Sequence, residues 1–135
     1  MKIPSAVKKA HKAAVKVRKA SYSPYSKFKV GSALVTSKEK IYVGTNIENA
    51  NYGGTICAER VAIFEAVKNG DKKFDHIVVV TDAKTPTPPC GFCRQIMAEF
   101  FDDKTQIWIG DLKELKSVYT FKEILPEAFG PKNLK

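Results

Sequence analysis

The sequence predicts an α/β domain, and three observations predict it: an amphipathic helix at the start, an unbroken β-branched run in the middle, and an alternation of strands with helices after residue 40. Ile3, Val7, Ala10, Ala14 and Val17 recur at spacings of four and three, which draws an apolar face along a helix. Ser23–Pro24–Tyr25–Ser26 reads as a turn, and Val30 to Thr36 and Ile41 to Thr45 read as a hairpin joined around Ser37 to Lys40. A polar loop, Asn46 to Gly54, leads into a helix from about Ile56 to Asn69, with Gly70 marking its end. Ile77–Val78–Val79–Val80 is the pattern of a strand covered on both faces. A proline-punctuated loop then gives a helix from about Cys90 to Phe101 and a strand at Gln106 to Ile109. Ser117 to Phe121 adds a fifth strand and Leu125 to Phe129 a short terminal turn. Strand, helix, strand, helix, strand implies parallel pairing with right-handed crossovers.

Length and composition narrow the setting. With 135 residues and 44% hydrophobic content, the chain is expected to form one domain, residues 1–135, with a real core. Nothing approaches the roughly 18 consecutive apolar residues of a membrane span, and the N-terminus lacks the apolar stretch of a secretory signal. An intracellular protein in the cytoplasm is expected, with no membrane partner. The net charge of +9 is local: residues 1–38 hold ten Lys and Arg and no acid. Because the apolar face of the first helix has to meet a core, its lysines at 8, 9, 12, 16 and 19 form the solvated face. No aromatic interrupts them to stack on bases, so a nucleic-acid partner is not expected.

The chemistry is concentrated in Cys57–Ala58–Glu59 and Pro89–Cys90–Gly91–Phe92–Cys93. A lone Cys-x-x-Cys could be a redox pair, and three cysteines could be small buried hydrophobes. A closed structural zinc site would need a fourth Cys or His. No fourth cysteine exists, and neither His11 nor His76 has a partner at ligand spacing. Three thiolates leave one tetrahedral position of Zn²⁺ open for a bound water or hydroxide, so one zinc per chain is expected. Glu59, two residues after the first thiol, is placed to move protons without being a ligand; this inventory is that of hydrolytic deaminases acting on cytosine or adenine rings. The cysteines fall at helix beginnings, where unpaired N–H groups favour thiolate. Arg60 and Arg94 each follow a site residue and are expected to draw charge from the sulfurs.

The chain resembles the small homotetrameric cytidine deaminases along almost its whole length. The matching stretches are Tyr25 to Gly31, Asn46 to Ala50, Ile56 to Arg60, Pro89 to Gln95, and Leu125–Pro126 with Phe129–Gly130–Pro131. The resemblance implies a three-layer α/β/α fold with a five-stranded mixed sheet, zinc held by Cys57, Cys90 and Cys93, and conversion of cytidine and 2′-deoxycytidine to the uridines in pyrimidine salvage. It also implies Glu59 as proton shuttle, Asn46 and Glu48 on the ribose 3′-hydroxyl, Phe28 against the nucleoside, and the backbone at Ala58 reading the pyrimidine carbonyl. Tyr52 and Phe129 are implied to reach into a neighbouring subunit's site, so that the homotetramer has shared active sites. A blasticidin-type nucleoside-antibiotic deaminase, a deaminase of cytosine within a polynucleotide and a non-enzymatic zinc-stabilised RNA-binding domain are the alternatives.

Overall fold

Both faces of the sheet are apolar, so both are covered. In the computed structural model, which describes residues 1–134, α1 (Ser5–Arg18) lays buried Val7, Ala10 and Ala14 on Ala33, Val35, Val78, Val80 and Trp108. Ile3 and Val17 flank this stripe half-buried, and Lys8, Lys9, Lys12, Lys16 and Lys19 are exposed, as their helical spacing requires. Successive strand residues point to opposite faces. On the second face Leu34, Ile77, Ile107 and Ile109 therefore meet Ala62, Ile63, Ala66, Cys93 and Met97 of two further helices, α2 (Ala58–Lys68) and α3 (Gly91–Phe100). Helix, sheet and helices make three α/β/α layers.

The sheet runs in the order β2-β1-β3-β4-β5, built from β1 (Gly31–Thr36), β2 (Ile41–Thr45), β3 (Phe74–Val80), β4 (Gln106–Gly110) and β5 (Leu115–Thr120). The expected hairpin is present, with Ala33 opposite Val43 and Leu34 opposite Tyr42. Among the described strands of the sheet, adjacent parallel pairing holds only for β3 and β4; β1 lies antiparallel between β2 and β3. This corrects the simple crossover picture, and the reason is physical: a short hairpin keeps β1 beside β2, and α2, packed across β2 and β1, returns the chain to β1's free edge. Two antiparallel steps restore direction, so β2, β3 and β4 still run the same way. The sheet is mixed, since β5 is antiparallel to β4.

A short helix precedes the terminal turn. Thr120 ends β5 and caps α4 (Phe121–Ile124): Glu123 N donates to Thr120 Oγ1 at 3.3 Å while Thr120 N donates to Glu123 Oε1 at 2.8 Å. The expected terminal turn follows, with a bend at Leu125 and a turn at Pro126 and Glu127. No helix among the described residues is long and apolar enough to cross a membrane.

One glycine sets how α2 meets the sheet. A Cβ at Gly44 of β2 would stand 2.5 Å from both Ala58 O and Ala62 N, so the first turns of α2 can rest on β2 only over a hydrogen. Gly44→Ala is expected to cost about 1–3 kcal/mol by overpacking and to loosen the start of α2, lowering bound metal as well as the melting temperature. Calorimetry beside metal analysis checks it; an unchanged Tm with full metal would show that the helix yields freely.

Candidate metal centre and active site

The two helices of the second face begin at the same end of the sheet. α2 starts at Ala58 and α3 at Gly91, slightly later than the sequence suggests, and the difference matters because Cys57 and Cys90 become the N-cap residues in extended conformation. Their side chains leave the helix axis while the first-turn N–H groups stay unpaired beside them. Cys93 follows one turn into α3, fully buried.

The Sγ atoms of Cys57 and Cys90 are 3.7 Å apart, those of Cys90 and Cys93 are 3.7 Å apart, and all three lie within 4.8 Å of one another. A tetrahedral site with Zn–S bonds of about 2.3 Å has sulfur–sulfur edges of roughly 3.8 Å. The three residues fit zinc. Their proton chemistry agrees: a hydrogen bond from the Cys93 thiol, helped by Arg60 and Cys90 against the opposing effect of burial, lowers Cys57 to about 5. Cys93, as that donor and buried, is pushed up. The metal-free cluster therefore favours a thiolate at Cys57 and a thiol at Cys93, whereas a dication favours the thiolate at every ligand.

Glu59 is 5% exposed in the first turn of α2. Burial, with the negative Cys57 adding to it, pushes its carboxyl up to about 7, against its own backbone N–H and Arg60. A carboxyl poised near neutrality can both give and take a proton.

The two arginines diverge. Arg60 Nη2 donates to Cys57 Sγ at 3.5 Å and to Thr55 O at 3.3 Å, with its guanidinium 5.1 Å from the centre of the Phe92 ring. It touches a sulfur. Arg94 instead donates from Nε to Pro89 O at 2.8 Å and from Nη1 to Ile124 O at 2.7 Å. Its hydrogen bonds go to backbone carbonyls, so it braces the loop before α3 and the end of α4. Phe92 is a residue the sequence reading missed: 73% exposed between two ligands, it is the platform for Arg60. The signal available was an aromatic at a position facing solvent.

Of the remaining candidates, Phe28 precedes β1, Asn46, Glu48 and Tyr52 follow β2, Ala58 begins α2 and Phe129 lies beyond α4. Asn46 is buried and nearly saturated: Oδ1 accepts from Ser21 Oγ at 2.6 Å and Val30 N at 3.0 Å, and Nδ2 donates to Phe28 O at 2.8 Å. Phe28 itself is half-buried. Glu48 accepts from Tyr25 N at 3.0 Å, from Ser26 N at 3.1 Å and from the Ser26 hydroxyl, which chiefly holds its carboxyl below the usual range. Glu48 lines a cavity of about 360 Å³ with Tyr25, Ser26, Tyr52 and Thr55, and Tyr52 meets Tyr25 edge-on at 5.9 Å. Tyr52 is 75% and Phe129 57% exposed. Ala58 is buried at the start of α2.

Comparison with known proteins agrees with this geometry. Residues 4–109 match the family model described as the cytidine and deoxycytidylate deaminase zinc-binding region. The cytidine deaminase of Halalkalibacterium halodurans is 46% identical over 118 residues, 87% of this chain and 89% of that one. That of Mycoplasma pneumoniae is 45% identical over 111 residues, 81% of this chain and 83% of that one. The crystal structure of cytidine deaminase from Burkholderia pseudomallei superposes with a TM-score of 0.85 at 39% identity, covering 90% of this chain and 98% of that one. The fold and the three-cysteine site define a zinc-dependent hydrolase. The chain belongs to the cytidine and deoxycytidylate deaminase family.

Proposed function

We propose that the chain is a single-domain cytidine deaminase that hydrolyses cytidine and 2′-deoxycytidine to uridine and 2′-deoxyuridine, serving pyrimidine salvage in the cytoplasm. The observation that carries it is a buried Glu59, pushed up to about 7, beside three sulfurs spaced for zinc. Zn²⁺ held by Cys57, Cys90 and Cys93 supplies a Lewis acid that makes water a nucleophile near neutral pH. Glu59 takes a proton from the attacking water and delivers it to N3 of the cytosine, which makes C4 electrophilic. After hydroxide adds to C4, Glu59 carries the new hydroxyl's proton to the amino group. The C4–N bond then breaks, ammonia leaves, and the ring keeps the proton on N3. The first-turn N–H groups at Ala58 are suited to the pyrimidine carbonyl.

Hydrogen-bond accounting supports a sugar hydroxyl at Asn46 and Glu48. With its carbonyl occupied twice, Asn46 keeps one N–H, and the Glu48 carboxylate, accepting three bonds, keeps one acceptor site. One donor and one acceptor are what a hydroxyl needs. Exposed Tyr52 and Phe129 support closure of a neighbouring subunit's site within a homotetramer, with Phe28 against the nucleoside. Phe129→Ala is then expected to lower kcat/KM between several-fold and about a hundredfold, the worth of an aromatic–base stack; steady-state kinetics on cytidine checks it.

The deciding assay follows cytidine absorbance loss with ammonia release. Parallel arms carry 2′-deoxycytidine, blasticidin S and an oligonucleotide containing cytosine. Turnover of the free nucleosides is expected. Turnover confined to the antibiotic or the oligonucleotide, or RNA binding without turnover, overturns the reading.

A further inference from the structure

The residues immediately after the last metal ligand hold the segment that carries Phe129. Gln95 Nε2 donates to Phe129 O at 2.9 Å, and Arg94 Nη1 donates at 2.7 Å to the carbonyl of Ile124, which ends α4 just upstream of the segment. Gly130 N turns back to Asn133 Oδ1 at 2.8 Å, so the segment is folded on itself just beyond the tie. Leu125 and Ala128 pack on the core, but beside them lies a cavity of about 820 Å³ lined by Ala98, Phe101, Phe121, Leu125, Ala128 and Pro131, and Phe129 itself stands 57% exposed. Beyond Ala128 the chain borders open space and carries an exposed aromatic, so the hydrogen bond at Phe129 O fixes where the ring sits. Arg94 also donates to Pro89 O, the carbonyl just before Cys90, so one helix turn joins the metal loop to the tail.

We propose that Gln95, braced by Arg94, is a positioning residue that aims Phe129 of its own chain at the site of a neighbouring subunit. The inference rests on the shared-site reading of Phe129. Gln95 then acts in trans: it leaves its own chain's Glu59 and metal untouched and changes the closure of the adjoining site. A structural residue of α3 would act on its own chain instead, because Cys93 is two residues away.

Mixed tetramers separate these possibilities. Chains carrying Glu59→Gln keep Phe129 but lack a proton carrier; chains carrying Phe129→Ala keep the proton carrier but lack the aromatic. Co-expressed with different tags and verified by native mass, the two are expected to restore activity at sites that combine intact halves. Gln95→Met is then added to one parent at a time. Gln95 is exposed on α3, so the substitution keeps the fold and removes only the N–H donor; Gln95→Glu serves as a second variant lacking the donor. On the Glu59→Gln chain, either variant is expected to lower hybrid kcat/KM by about two- to tenfold, the worth of one hydrogen bond. On the Phe129→Ala chain it is expected to change nothing, since that tail no longer carries the aromatic. Equal losses in both arms, a loss only on the Phe129→Ala chain, or no loss in either overturns the proposal. Failure of the parents to complement before Gln95 is changed removes the shared-site reading itself, and the positioning role with it. A readout independent of turnover is amide exchange at Gly130 and Asn133, expected to quicken in Gln95→Met while zinc content stays full; unchanged exchange overturns the tie.

Discussion

Replacing Glu59 by Gln is expected to leave a folded, zinc-loaded protein that binds cytidine and turns it over about 10²–10⁴-fold more slowly, the size of general acid–base help. The amide keeps the shape and can hydrogen-bond to the ring, yet it cannot carry a proton from water to N3 or from the new hydroxyl to the amino group. Single-turnover kinetics with metal analysis checks it, and more than about a tenth of native turnover would reassign the proton carrier. The substitution also has a sign in stability. Glu59 is raised from an ordinary 4.5 to about 7, chiefly by burial, so the metal-free fold favours its neutral form. That contribution is present in acid and is lost as pH rises through about 7, where the buried carboxyl must ionise. Gln is neutral throughout. Chelated Glu59→Gln is therefore expected to gain in melting temperature over the chelated native protein as pH rises from 5 to 8; a constant difference would place the carboxyl's ionisation elsewhere.

What could be read from the sequence follows from how local the cause is. Cys57 and Glu59, like Cys90 and Cys93, owe their positions to spacing around a helix start, and spacing is visible in one dimension. The place of β1 between β2 and β3 is decided by the path α2 takes across the hairpin, and no residue of β3 announces it. The arginines show the same boundary at finer scale. Arg60 lies three residues after Cys57 and reaches its sulfur; Arg94 lies four residues after Cys90, on the same helix side as that ligand, yet its Nε and Nη1 are taken by the carbonyls of Pro89 and Ile124. Both follow a site residue, and the carbonyls that the fold brings to Arg94 are what distinguish them. Asn46 and Glu48 look like free polar loop residues in the sequence. Their bonds to Ser21, Val30, Phe28, Tyr25 and Ser26 come from segments about twenty residues away, so the single donor and acceptor left over emerge only in the fold.

Substituting Cys57 by Ala is expected to cost both metal and fold, a larger effect than any change at the sugar loops. Cys57 is the only one of the three sulfurs at the start of α2, so without it the site reduces to Cys90 and Cys93, both carried by the start of α3. Two ligands on one helix no longer tie the two helix starts together, and binding energy that had been folding energy is lost. The partner left behind adds to the cost: Arg60 donates to Cys57 Sγ, its Nε is already buried without a partner, and removing the thiolate leaves its cation only Thr55 O and the Phe92 ring. A loss on the order of 3 kcal/mol, a fraction of the about 10–16 kcal/mol of a structural zinc site, lowers Tm by roughly 12 °C at this chain length. Acid should reproduce part of the effect in the native protein, since protons compete with zinc for thiolates and release should rise as pH falls. Metal analysis and calorimetry on matched samples test it. A purified Cys57→Ala protein with one zinc per chain and native Tm would show that α3 alone holds the metal, and would leave the pairing of Glu59 with the sulfur cluster without its physical basis.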